Sequence, residues 1–526
     1  MRKITKKLLS LLLAVAPLSA TAQFEVVRGL CTPDLDGSTS AAAQVRGIDR
    51  HKLPAINTNW DPTKTYRQLV VLVEFADFDF NLDNPNATYD SLFNMPGFNK
   101  GQGKGCVADY FRDQSLGILN LQFDVYGPVK VSQQARYEGS GNNYGKDAFR
   151  EATVKLIAEH PDMDFSVYDW NNNGKVNQVI FVAAGYNGNT SNSTYKGYLW
   201  PVTNTFDTSV ITPDGKTIVN YTASAECWPS KSYISTGIGT ICHEFSHSLG
   251  LPDIYPTSSS NPAYSVCDEW DLMDGGNFTN YGWCPTNYTA LERMLMGWIE
   301  PVELTDSQTV VDMKPIEEGG EVYRIKHSEN EWLLLENRQQ RGWDAGAPGK
   351  GLCIYHVCYS PTQWSNNKVN NNPDKLRFEL IHADNMDYDA WDSYLYELQW
   401  TDYANRQRMN SRLLSTSPYP WSTDSTTFVN DALTETSVPA PKMNEPNEAE
   451  EELLDKPITN ITMSEDGLIS FVFLGAEPIV DGLGKQPLWD NDEPAVFDLR
   501  GRRVNQTGRG VYIVRNQNGT IRKVFK

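Results

Sequence analysis

The segment richest in chemistry is Ile238-Gly-Thr-Ile-Cys-His243-Glu244-Phe-Ser-His247-Ser-Leu-Gly250-Leu-Pro-Asp253-Ile-Tyr255. Two histidines four residues apart fall on one face of a helix, where both imidazoles can reach a single metal ion. Glu244 projects beside them, placed to act on a metal-bound water as general base. Two helical imidazoles leave a metal site incomplete. Gly250 can end the helix in the left-handed conformation. The chain that turns back from it would let Asp253 supply a third ligand, leaving the fourth position for water. A core helix whose histidines are only hydrogen-bonded has no use for Glu244 or for the glycine turn.

Other candidate residues carry weaker chemistry. Asp169-Trp-Asn171-Asn-Asn173-Gly174-Lys175-Val-Asn177 matches the first part of a calcium loop, with oxygens at alternate positions and a glycine for the sharp turn. Position twelve is Ile180 rather than a bidentate Glu, so a full helix-loop-helix hand is not expected. A shortened calcium loop and a plain Asn-rich turn stand level. His356 and His382 fall in expected strands of a β-rich region and read as packed or surface histidines with backbone hydrogen bonds. Cys353 and Cys358 share one expected strand, five apart, and so point to opposite faces and do not pair. Cys31 reads first as a disulfide partner; the other reading is a thiolate that closes zinc's open position in a zymogen.

The elements that must position these residues form an α/β pattern. Ile238, Ile241, Cys242, Phe245 and Leu249 recur at helical spacing and define a core face for the histidine helix. Gln68 to Phe75 is a continuous apolar run of strand length. Further strands are expected at Leu119 to Val125 and Gln178 to Ala183, and a helix over Val107 to Gln114. After about residue 301 the runs shorten and turn β-rich: Val322 to Lys326, Trp332 to Glu336, Leu352 to Val357 and Leu376 to Ile381. Ile458 to Met463 and Leu468 to Leu474, with Glu465-Asp466-Gly467 between them, read as a closing hairpin.

These patterns divide the chain into a leader at 1–22, a pro-segment or linker at 23–62 and a catalytic domain at 63–300. A β-rich companion follows at 301–474, then a linker at 475–493 and a small C-terminal β module at 494–526.

Composition sets the compartment and excludes some partners. Lys and Arg number 46 against 66 Asp and Glu, a net charge of −20, which argues against nucleic acid. Arg2, Lys3, Lys6 and Lys7 precede the apolar stretch Leu8 to Leu18 and the small residues Ala20-Thr21-Ala22, the layout of a cleaved secretory signal. The apolar stretch, interrupted by Pro17, falls short of the ~20 residues that span a bilayer. The exported chain is therefore expected to be secreted or at the cell surface, without a transmembrane segment. Removing the leader's four bases takes the charge to 42 − 66 = −24. Export also permits disulfides among the eight cysteines.

The string from His243 to Tyr255, followed by Trp270-Asp-Leu-Met273-Asp-Gly-Gly276, resembles the immune inhibitor A family of secreted bacterial metallopeptidases, of metzincin type. Further matches are Asp109-Tyr-Phe with Ser115-Leu-Gly, Tyr288 to Trp298, Glu336-Asn-Arg-Gln339 and Gly351 to Val357, so the resemblance spans roughly residues 67 to 474. It implies a metzincin-like α/β catalytic domain with an active-site helix, zinc on His243, His247 and Asp253, Glu244 as general base and Met273 as the methionine turn beneath the metal. Metzincins more often carry His as third ligand; Glu269 or Asp271 is next in line should Asp253 not serve. Tyr281, beyond the turn, is a candidate oxyanion donor. The implied activity is zinc-dependent hydrolysis of protein or peptide substrates. The alternative is an inactive surface-binding protein on the same scaffold. Pro494 to Lys526 resembles a type IX secretion sorting domain, which implies that export machinery as a partner.

Overall fold

The computed structural model describes residues 53–99, 103–137, 143–189, 194–229, 233–257, 266–386, 414–422, 429–446 and 452–476, and the backbone of three strands near the C-terminus. The expected leader at 1–22, Cys31, most of the 23–62 segment, residues 387–413 and most of the expected 475–493 linker lie outside the described residues.

The first sheet has the order β2 (Asn120–Lys130), β1 (Thr65–Glu74), β3 (Val179–Tyr186), β5 (Thr217–Cys227), β4 (Val202–Ile211). Its first four strands are parallel and β4 runs antiparallel at the edge. Parallel strands covered on both faces read as unbroken apolar runs, and β1 shows the consequence. Leu69, Val71 and Val73 point to one cluster, with Phe149 and Phe181, while Val70 and Leu72 point to another, with Ile241 and Phe245. Helix α3 (Lys146–Glu159) covers the first face. Helices α1 (Pro85–Asn94), α2 (Val107–Gln114) and α4 (Gly239–Ser248) cover the second. The strands run past the apolar residues that announce them, because ladder hydrogen bonds continue through Thr65 to Gln68 and Tyr126 to Lys130.

Past the short α5 (Ala290–Leu295), β6 (Val302–Glu303) opens a second sheet, of which the following β7 (Gln308–Met313) is not a member. Its remaining strands are β8 (Tyr323–Lys326), β9 (Glu331–Arg338), β10 (Gly351–Cys358) and β11 (Phe378–Leu380), with α6 (Pro361–Ser365) between the last two. The order is β11-β10-β9-β8-β6. After a small pair, β12 (Trp421–Ser422) and β13 (Val429–Asn430), the expected hairpin forms as β14 (Ile458–Met463) and β15 (Ile469–Phe473). It also recruits β7 into a three-stranded sheet. Near the C-terminus β16 (Ala495–Phe497), β17 (Val511–Arg515) and β18 (Ile521–Phe525) form an antiparallel sheet.

The division near residue 300 separates two sheets but not two cores. Trp332, Leu334, Cys353, Tyr355 and Val357 on one face of the second sheet belong to the same buried cluster as Ile241 and Phe245 of α4. Leu333, Leu335, Leu352 and Ile354 on the opposite face pack against β7, β14 and β15. Burying one such apolar side chain contributes about 1.5–3 kcal/mol, so this shared layer stabilises the helix as much as the sheet. Residues 53–60, within the segment read as a linker, also lie on this assembly. The Leu53 amide donates to Ser365 O at 3.0 Å, and the Trp60 indole donates to Met296 O at 3.2 Å.

Candidate metal centre

Every residue of α4 from Gly239 to His247 is buried, so the histidine face is as enclosed as the core face. The helix begins where the Ile238 amide donates to Gly282 O at 2.8 Å. It ends in a Schellman turn: the Leu251 amide donates to Ser246 O at 3.1 Å and the Gly250 amide to His247 O at 3.0 Å. Gly250 has φ +104°, and a Cβ there would lie 2.7 Å from Ile56 Cγ1, so a side chain is excluded twice over. The turn sends Leu251 to Tyr255 back across the histidines.

Carbonyl acceptors set the imidazole tautomers. His243 Nδ1 donates to Leu272 O at 2.8 Å and His247 Nδ1 to Leu251 O at 2.7 Å. A carbonyl can only accept, so each Nδ1 carries hydrogen and each Nε2 is left to face inward. Both Nε2 atoms converge on Asp253 Oδ1, at 3.2 Å from His243 and 3.1 Å from His247. Two metal bonds of about 2.0–2.1 Å at a tetrahedral angle set donor atoms ~3.3 Å apart, so the spacing fits one small cation. The donor chemistry also requires positive charge, because two imidazole lone pairs and a carboxylate oxygen otherwise repel.

The neighbouring groups are held from several elements. Glu244 is buried on the same turn of α4, and its carbonyl accepts from the hydroxyls of Thr203 on β4 and Thr222 on β5. Met273 is fully buried, with its carbonyl accepting from the Ile254 amide at 2.9 Å, next to the Leu272 carbonyl that orients His243. Asp271 Oδ1 accepts from the Met273 amide at 2.6 Å, and Asp274 Oδ2 accepts from the amides of Val266, Cys267 and Asp268 at 3.0, 2.9 and 2.8 Å. The segment around Met273 is thus a closed hydrogen-bonded loop.

The structure brings His243, His247 and Asp253 together as a cluster able to hold a metal ion, and neither Glu269 nor Asp271 is in it. Asp271 faces Glu292 instead. Burial and the Asp274 carboxylate raise Asp271 to about 7, against the hydrogen bond from Glu292 that lowers it, while burial and Asp271 raise Glu292 well above its ordinary value. Tyr281 sits at φ +59° beyond the turn, and its carbonyl accepts from the Trp228 indole at 3.1 Å. The tyrosine ring that lies parallel to His243, 6.5 Å between centroids, is that of Tyr255.

The other sequence candidates lie apart from this cluster. Asp169 accepts from the amides of Asn173 at 2.9 Å and Gly174 at 2.8 Å, and from Lys216 Nζ at 2.9 Å. Asn173 Oδ1 accepts from the Lys175 amide and Asn177 Oδ1 from the Trp170 amide, while Asn171 and Lys175 are exposed. His356 does not follow its expectation of backbone partners. It lies between two carboxylates, Glu331 Oε1 at 2.7 Å and Glu379 Oε1 at 2.9 Å. Burial alone lowers its pKa, yet the two acids raise it to about 9. His382 falls beyond β11 rather than inside a strand, with Nδ1 2.8 Å from Ser417 Oγ. The seven described cysteines are all buried and none is in a disulfide.

Residues 208–299 match the family described as Immune inhibitor A peptidase M6, catalytic domain. That stretch contains α4, Asp253 and Met273. Immune inhibitor A of Bacillus thuringiensis subsp. alesti is 23% identical over 307 residues, covering 48% of this chain and 43% of that protein. The alignment therefore spans less than half of that relative's length. The family match and the His/His/Asp cluster together support a metallopeptidase role.

Proposed function

We propose that the chain is a secreted zinc endopeptidase. The observation that carries this reading is the convergence of His243 Nε2, His247 Nε2 and Asp253 Oδ1, with both Nδ1 atoms tied to carbonyls. The donor set of two imidazoles and one carboxylate is that of a catalytic zinc site, whose fourth position is kept for water. When bound there, zinc supplies Lewis-acid activation of water and polarisation of the scissile carbonyl.

The chain's own residues do the rest. His243, His247 and Asp253 hold the ion. Glu244, next to His243 on the helix, takes a proton from the attacking water and delivers it to the leaving amine. The Thr203 and Thr222 hydroxyls on the Glu244 carbonyl fix that turn of α4 against the sheet. Tyr281 and Tyr255 are the two candidate hydrogen-bond donors for the developing oxyanion. A calcium ion at Asp169 is not required by this reading, since Lys216 already supplies positive charge there.

Export is supported by the basic and apolar N-terminus, and among the described residues no helix is long and apolar enough to cross a membrane. The substrates are then extracellular proteins, and the C-terminal strands form a small sheet suited to a sorting module read by type IX secretion machinery. The intact Glu244 beside two oriented imidazoles speaks against an inactive binding protein on this scaffold.

The test is Glu244→Gln in the mature protein, with casein as substrate. Loss of general-base action lowers the hydrolysis rate by about 10²–10⁴-fold, while bound zinc measured by atomic absorption stays near one per chain. Undiminished hydrolysis in that variant overturns the mechanism.

A further inference from the structure

We propose that Asn367, in the β-rich companion, is a positioning residue that orients Asp253 toward the metal. The inference rests on the zinc reading above. The two side chains are 114 residues apart in sequence and meet in a reciprocal clamp. Asn367 Nδ2 donates to Asp253 Oδ2 at 2.7 Å, and the Asp253 amide donates to Asn367 Oδ1 at 2.6 Å. One amide side chain therefore fixes both the backbone and the carboxylate of the same residue. With Oδ2 tied, Oδ1 is the oxygen directed at the two imidazoles.

The chemistry of the clamp suits this work. A carboxamide offers a donor and an acceptor without charge, so it orients the carboxylate without competing for the cation. A lysine would neutralise Asp253, and an aspartate would repel it and offer no donor to Oδ2. Partners of this kind, hydrogen-bonded to a ligand rather than to the metal, usually set about 10–100-fold in metal affinity.

Asn367 is itself held. It adopts φ +55°, a conformation asparagine tolerates, just past α6, with its amide donating to Trp364 O at 3.0 Å. Its carbonyl accepts from Thr257 Oγ1 at 2.6 Å. Three residues on, Asn370 Nδ2 donates to Ile254 O at 2.9 Å and to Phe378 O at 2.8 Å, joining the ligand segment to β11. Asn371 Oδ1 accepts from the Thr257 amide at 2.6 Å. The run from Asn367 to Asn371 thus grips residues 253–257 from the second sheet. A peptidase site whose helix lies in one sheet's layer takes the aim of its third ligand from the other.

The experiment uses the full-length protein and the variants Asn367→Gly and Asn367→Asp. Glycine keeps the left-handed backbone and removes only the clamp; aspartate keeps the size and an acceptor. Zinc affinity is measured by competition with a chromogenic chelator, zinc release by stopped flow, and the visible absorption of the cobalt(II)-substituted protein reports the ligand geometry. The expected result is zinc binding weakened by about 10–100-fold in both variants, faster release and a shifted cobalt band, with the melting temperature of the metal-free protein close to wild type. Affinity within about twofold of wild type with an unchanged cobalt band overturns the proposal. His243→Ala separates the two readings: if it also retains full zinc affinity, the metal site itself fails, whereas loss there with silent Asn367 variants removes the clamp alone.

Discussion

Arg338 grips Asp344 through two hydrogen bonds of 2.6 Å, with both side chains sealed from solvent. The same guanidinium donates to Glu336 Oε1 at 2.9 Å and to Trp270 O at 3.2 Å, and lies over the Trp270 ring at 5.8 Å. The pair therefore joins β9 to the loop that carries Trp270 and Met273. Breaking a buried pair by removing one partner leaves an uncompensated charge and costs about 3–5 kcal/mol. Asp344→Ala is expected to lose that much stability in urea unfolding. A loss below ~1 kcal/mol would mean that Glu336 alone satisfies Arg338.

The Asp271 and Glu292 pair predicts a pH dependence of the opposite sign to an ordinary carboxylate. Burial and the Asp274 carboxylate raise Asp271 to about 7, and burial with Asp271 raises Glu292, so the folded state keeps a proton that the unfolded chain releases near 4. The stabilisation is complete in acid and is lost as pH rises toward 7. Asp271→Asn imitates the protonated form and removes this loss. Its stability relative to wild type should rise by up to ~1.4 kcal/mol per pH unit between pH 5 and 7, read from denaturant midpoints without metal. A flat difference across that range would show that the pair does not hold its proton.

His356 acts in a different window. Its folded pKa of about 9 lies above the unfolded value near 6.5, so its ion pairs with Glu331 and Glu379 stabilise fully below the lower value. They are lost as pH rises through the upper one. Wild type should fall relative to His356→Gln between pH 7 and 9, by up to ~1.4 kcal/mol per unit. Parallel stability curves for the two proteins over that range would exclude a charged His356.

The legible part of this site is the part that one element and its exit turn contain. His243, Glu244 and His247 follow from helical spacing, and Gly250 and Asp253 from the turn that must close the helix. The strands around them were legible as apolar runs, although their ends were not, because ladder bonds extend through polar residues such as Gln68 and Lys130. Asn367 carried no signal of its own; Arg338, Glu292 and Asp271 stood in strings quoted for the family resemblance, but their pairings with Asp344 and with one another were not readable there. Asn367 acts on Asp253, 114 residues away, which it meets only when the second sheet packs on α4, and an Asn-rich run reads locally as a turn. His356 was misjudged in its partners for the same reason, since Glu331 and Glu379 stand on the two strands flanking its own. Only Tyr281 was singled out from the sequence, while the Tyr255 ring lies nearly parallel to His243.

The common cluster beneath α4 also bears on how such a protein can be inherited. With Trp332, Leu334 and Tyr355 in the same apolar layer as Phe245, and Asn367 fastened to Asp253, a gene fragment ending near residue 300 encodes a helix with one wall missing. The two large sheets must therefore travel together and change in concert.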